Sequence, residues 1–192
     1  MTARLAVAGT AAALVAAVLA LALHGPDVEG WRHATRWTAR VSASIFAVLF
    51  AATALSRLGG AGVAAALADR RGLGLGFAGA HLVHAASIAA LFAALRERPA
   101  TVALVGGGLA YALLLAMVAT STDTARRALG PWWKRLHLAG LWYVWLIFLQ
   151  SYLGRAAEGG DRVAEGVFGV ALMIGSAALR LLGGRIRRRA SA

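Results

Sequence analysis

Apolar residues run along this chain in six long blocks, at about residues 5–23, 41–58, 73–95, 101–120, 136–153 and 163–182, instead of alternating with polar ones. A helix needs roughly 20 apolar residues to cross a hydrocarbon core. The pattern therefore predicts an all-α, polytopic membrane bundle of about six transmembrane helices. The blocks take up most of the chain, leaving turns, two connectors of modest length (24–40 and 59–72) and a tail. One transmembrane domain over residues 1–192 is all that this length accommodates. Loops between the third and fourth spans and between the fifth and sixth are short, which makes those pairs antiparallel neighbours. No internal repeat is visible.

The first block follows Arg4 and ends near Ala20-Leu21-Ala22, which looks like a small-residue cleavage site. It is longer than the apolar core of a secretory signal, and with five spans behind it the expected role is a first helix.

Composition agrees with the blocks: 60% of residues are hydrophobic and the mean hydropathy is +0.70. Cysteine is absent, so disulfides, thiolate metal sites and iron–sulfur clusters are excluded. Any redox role needs a cofactor held by histidine or by no side chain.

A net charge of +12 would point to nucleic acid in a soluble protein, but its distribution here describes topology instead. With the N-terminus inside, the cytoplasmic segments hold Arg4, Arg57, Arg70, Arg71, Arg126, Arg127, Lys134, Arg135, Arg180, Arg185, Arg187, Arg188 and Arg189 against Asp69 and Asp123, a net +11. The opposite segments hold seven arginines against six acids, a net +1. Both termini are expected in the cytoplasm of a cell with its chain in the inner (cytoplasmic) membrane. The arginine-rich tail reads as a stop anchored on anionic lipid. Membrane lipid is the first expected partner, and nucleic acid is not one.

The fourth connector runs through Ser121-Thr122-Asp123, where Asp123 is a candidate cap for a short interfacial helix leading to Pro131. Trp132 and Trp133 then fall at the headgroup level that indoles prefer. Glycines crowd the third span (Gly72, Gly74, Gly76, Gly79) and the fourth (Gly106, Gly107, Gly108), permitting close helix contact or close approach of a flat cofactor.

His24 and His33 belong to a polar connector and need no special role. His81, His84 and His137 lie within spans, where an ionisable side chain is costly without a partner or a cavity. No carboxylate lies inside the third to fifth spans, so zinc and di-iron carboxylate sites are poorly supported. Imidazoles from two different helices suit an axially ligated haem iron. Histidines bonded to a neighbouring helix's carbonyl or hydroxyl stand level with that reading on the residues alone.

Arg70-Arg71-Gly72-Leu73-Gly74-Leu75, followed by His84, resembles the opening of the third helix in ferric reductase-like transmembrane domains. Thr120-Ser121-Thr122-Asp123, then Leu129-Gly130-Pro131-Trp132-Trp133-Lys134-Arg135-Leu136-His137, is similar to the same family's fourth loop and fifth-helix entry. The family includes the small bacterial MsrQ/YedZ haem-binding membrane subunits, which pass electrons to a periplasmic methionine sulfoxide reductase. The resemblance covers about residues 41–153. It implies a haem b-binding electron-transfer protein fed by quinol or a flavoprotein and delivering to a partner protein or a small acceptor. It also implies His84 and His137 as axial ligands, with quinone and a redox protein as partners and flavin as a second candidate group.

One departure matters. The family's fifth helix carries a second histidine thirteen residues after the first, and here that position is Gln150, a poor haem ligand. One haem is therefore expected in preference to two. Depth pulls another way: with spans starting near Gly72 and Trp132, His84 and His137 differ by about 10 Å and His81 and His137 by about 6 Å. The candidate ligands remain His84, His137 and His81. No G-x-G-x-x-G opens a helix after a strand, so no nucleotide-binding domain of its own is expected. The alternative is a cofactor-free scaffold or accessory subunit that keeps the fold. A solute transporter ranks last, because no span is broken by proline and no acid deep within the membrane is present to couple protons.

Overall fold

A computed structural model describes residues 2–189, with side chains as far as residue 184. Among the described residues there are eight α-helices, one 3-10 turn (Gly160–Arg162) and no strand. The helices are α1 (Thr2–His24), α2 (Val28–Leu58), α3 (Gly60–Ala66), α4 (Arg70–Leu95), α5 (Thr101–Ala119), α6 (Asp123–Leu129), α7 (Pro131–Ala157) and α8 (Val163–Arg189). Six helices, all but the short α3 and α6, are long and apolar enough to cross a membrane, so the chain is a multi-pass membrane protein. Large apolar side chains such as Val7, Val15 and Val18 of α1, Val102 and Val105 of α5, and Phe168 of α8 stay exposed and meet lipid.

Helix α2 departs most from expectation. The polar stretch over 24–40 was expected as a connector, yet α2 begins at Val28. Asp27 caps it, its Oδ1 accepting from the backbone N–H groups of Glu29 and Gly30, both at 3.0 Å. Arg32, Arg36 and Arg40 then recur every four residues, with Glu29 placed to pair with Arg32 and His33. Thirty-one residues give about 46 Å of helix, well beyond the roughly 30 Å of a hydrocarbon core. The second connector is also partly helical, holding α3. Before α6 the cap is Thr122 and not Asp123: the Thr122 hydroxyl accepts from the Ala125 N–H, and Asp123 occupies the first turn. Pro131 opens α7, where its missing N–H costs nothing. The arginines at 185, 187, 188 and 189 lie outside the residues whose side chains are described.

The chain packs as two compact units, residues 1–49 with 69–104, and residues 50–68 with 105–192. In the first, α1 runs along α4 with backbone touching backbone. A Cβ on Gly76 would lie 2.6 Å from the Leu5 carbonyl oxygen, and one on Gly9 would lie 2.7 Å from that of Gly76. Helix α2 packs antiparallel to α4 through Phe46 against Phe77, ring centroids 5.1 Å apart. In the second unit α7 runs antiparallel to both α5 and α8. Gly140 admits Met117 of α5, and Gly166 and Gly169 admit Ala156 and Tyr152. The last turns of α2 join this unit through reciprocal arginines: Arg180 of α8 donates to the Phe50 carbonyl at 3.0 Å and Arg57 to the Gly183 carbonyl at 3.3 Å. The Arg180 guanidinium also lies 4.4 Å over the Phe50 ring, so it belongs to the packed helix seam and not to a solvated tail.

Candidate functional site

Three intramembrane histidines were singled out by the cost of burying them, and they fall into two environments, one in each unit.

In the first unit His81 and His84 lie eleven and fourteen residues into α4, about 16 and 21 Å from its start. Three residues apart, they share a face, and their ring centroids are 5.4 Å apart. That face meets α2, which offers hydroxyls at the matching spacing. His84 Nδ1 is 3.1 Å from Thr38 Oγ1, and His81 Nδ1 is 3.2 Å from Ser42 Oγ. The hydroxyl protons have a prior use. Thr38 donates to the Ala34 carbonyl at 2.7 Å and Ser42 to the Ala39 carbonyl at 3.1 Å. Each hydroxyl is thus left to accept, and each imidazole donates from Nδ1, which puts its neutral lone pair on Nε2. Thr38 and Ser42 are fully buried, and the Phe46–Phe77 pair closes the seam one turn further along. One turn the other way, the Thr35 hydroxyl oxygen is buried without a hydrogen-bond partner.

In the second unit His137 lies six residues into α7, near its start. Its Nδ1 donates to the Trp133 carbonyl one turn back, at 3.0 Å. The Trp133 indole stacks on the imidazole with centroids 4.1 Å apart and planes 27° apart. The same indole donates from Nε1 to the Thr120 carbonyl at 2.8 Å. His137 Nε2 is buried and has no hydrogen-bond partner. Burying an acceptor without a partner costs about 1–3 kcal/mol, so such an atom calls for an explanation.

The remaining candidates separate cleanly. Gln150 is exposed on α7, while the buried face of that helix carries Gly140, Val144, Phe148 and Tyr152. Trp132 is 66% exposed, its ring under the Arg135 guanidinium at 4.6 Å, which suits the headgroup level. His24 and His33 stack on each other at 3.7 Å where α1 ends and α2 begins, and His33 Nε2 lies 3.2 Å from Glu29 Oε1. Thr38 and Ser42 escaped sequence reading. Their signal was there: two hydroxyl residues four apart at the start of the second apolar block, answering two histidines three apart on another span.

Gly72, Gly76 and Gly79 of α4 face α1, at Thr2, Leu5 and Thr10, so close helix contact accounts for them. Gly107 and Gly108 of α5 face open space. Among the described residues no three histidine, cysteine or carboxylate side chains gather to hold a metal ion unaided. In comparisons with known protein families, with curated proteins and with solved structures, nothing matches this chain, so the functional reading rests on its own residues.

Proposed function

We propose that the protein is a haem b-binding electron-transfer protein of the ferric reductase-like class in the cytoplasmic membrane. His137 would hold its iron together with a histidine of α4, His84 by the sequence motif or His81 by depth in the span. The observation that carries this is the His137 imidazole. Its Nδ1–H is fixed by a backbone carbonyl and its Nε2 lone pair is buried with nothing to bond. Metal-ligating histidines have that arrangement, the second nitrogen being held by a carbonyl or carboxylate. Imidazoles standing singly or in pairs suit an iron whose other ligands come from a porphyrin.

The bound haem would supply one-electron transfer through its iron. The chain's part is to hold the ligands in the right tautomer, to exclude water and to set the potential by burial. The exposure of Gln150 favours one haem over two. Electrons would enter from quinol or a flavoprotein and leave to a redox partner protein or a small acceptor.

The second reading is a cofactor-free scaffold, favoured by the hydroxyl partners that already answer both α4 histidines. The visible absorption spectrum of the detergent-purified protein, expressed with ample haem, separates the two. A low-spin b-type spectrum is expected; colourless protein leaves the scaffold standing. For topology, a reporter after Ala192 is expected in the cytoplasm and one near Gly159 outside, following the +11 against +1 charge asymmetry. Reversal of both would overturn that orientation.

A further inference from the structure

We propose that Trp133 is the positioning residue of His137: its indole, tied to the end of α5, holds the imidazole in one rotamer and one tautomer so that Nε2 is presented as a bare lone pair. The haem reading gives this device its purpose, but the device itself is a property of the protein alone.

Three contacts converge on the pair. The Trp133 Nε1–H reaches the Thr120 carbonyl at 2.8 Å. Thr120 directly follows α5, so its carbonyl is among the terminal ones that a helix leaves without an internal partner. The indole is therefore bonded where the backbone needs a donor, and it is held between two elements. With its edge fixed, the ring face becomes a fixed wall, and the imidazole lies on it at 4.1 Å. Finally, Trp133's own carbonyl accepts from His137 Nδ1 at 3.0 Å. The stack selects the rotamer, and the rotamer brings Nδ1 to the carbonyl. A proton held on Nδ1 is a proton kept off Nε2.

The frame beneath is stiff for local reasons. Pro131 fixes φ at the first position of α7, and Gly130 turns the chain into it with φ +50°. The Trp133 indole is thus displayed from a defined helix start, and His137 follows one turn later on the same face.

A tryptophan acting only as an interfacial anchor would contribute stability without governing the imidazole. The test reads the imidazole. In full-length haem-free protein in detergent, nitrogen NMR of His137 at fixed neutral pH is expected to show one tautomer, with the proton on Nδ1. Trp133→Leu removes stack and tie together and is expected to give an averaged mixture of tautomers. Trp133→Phe keeps a stacking face and loses the tie, and is expected to fall between. A Trp133→Phe spectrum identical to wild type would overturn the proposal, as would a wild-type mixture; the phenylalanine variant decides the matter even where the leucine variant does not fold. In haem-loaded protein, Trp133→Phe is expected to retain haem and shift the low-spin EPR g-values, which report the imidazole plane. Unchanged g-values also count against it. Colourless wild-type protein would sink the haem reading and leave the NMR result to judge Trp133.

Discussion

The α4 histidines and the α7 histidine are the same residue in the same solvent, and the protein treats them differently. His81 and His84 each meet a hydroxyl that another helix supplies, at Ser42 and Thr38. His137 meets only its own helix, through the Trp133 carbonyl, and keeps one buried nitrogen unanswered. Burial is costly in both places, and at His137 it leaves a ring nitrogen without a partner. A histidine bonded to another helix's hydroxyl joins helices; one bonded within its own helix, with a buried nitrogen left over, is open to a further partner.

The largest effect is expected where that difference is removed. His137→Ala is predicted to abolish the low-spin haem spectrum while barely moving the thermal midpoint of the haem-free protein, because the lost Nδ1 bond lies within one helix. His81→Ala is predicted to lower that midpoint by the larger amount, since it empties a buried site and removes the bond to the Ser42 hydroxyl, worth about 0.5–1.5 kcal/mol net. The arginine and Leu-Gly-Leu motif predicts that His84→Ala also destroys the low-spin signal and His81→Ala spares it. The exchanged outcome would make His81 the ligand. Gln150→His is predicted to leave haem at one per chain, because residue 150 is exposed.

The next effect tests whether the two glycine-rich helices differ as the histidines do. Gly76→Val would push a side chain into the Leu5 carbonyl and is expected to cost about 1–3 kcal/mol or more by parting α1 from α4. Gly107→Ala meets open space and removes a mid-helix glycine, so a gain of about 0.5–1 kcal/mol is expected. Equal behaviour in thermal unfolding would show that the α1–α4 contact is not as tight as its backbone distances say.

These pairs also mark how far sequence reaches. Six spans were legible because lipid demands unbroken apolar runs, and the first, third and fourth runs end within about three residues of their helices, while the fifth and sixth helices extend well beyond theirs. The start of α2 was not legible: hydropathy detects where a helix enters lipid, and Val28 to Arg40 is helix held by Asp27 and spaced arginines outside that criterion. His81, His84 and His137 were legible as costly residues. Which ring nitrogen is engaged, and by what, depends on the register of α2 against α4 and on the indole of Trp133, and neither leaves a trace in hydropathy. Glycine content was legible without its meaning, for only contact distances separate Gly76 from Gly107.

A smaller effect separates the neighbouring tryptophans. Trp133→Ala forfeits the bond to Thr120 and the stack on His137, and is expected to cost at least about 1 kcal/mol. Trp132→Ala loses an exposed ring under Arg135 and is expected to change detergent stability by less than half as much. A larger loss at Trp132 would shift the anchoring role to the exposed ring and weaken the distinction between a residue that holds His137 and one that faces the headgroups.

The smallest expected effect compares the helix starts. Helix α4 is capped by Asp69, whose Oδ1 accepts from the Gly72 N–H at 2.8 Å, while α6 is capped by the Thr122 hydroxyl at 3.1 Å. The Gly72 amide holds the Asp69 carboxyl below its ordinary value of 3.8. A carboxylate whose folded-state value is depressed stabilises the fold above its unfolded value and loses that contribution as pH falls through the folded one. The threonine cap does not titrate. Between neutral pH and the ordinary carboxylate range the start of α4 should therefore be unaffected; below it, amide exchange at Gly72 should quicken while exchange at Ala125 keeps its ordinary pH trend. Asp69→Asn is expected to flatten the difference, since asparagine caps without titrating. If Gly72 and Ala125 respond to acid alike in the wild type, the Asp69 cap is not what fastens α4, and the contacts of Gly72 and Gly76 with α1 must do so alone.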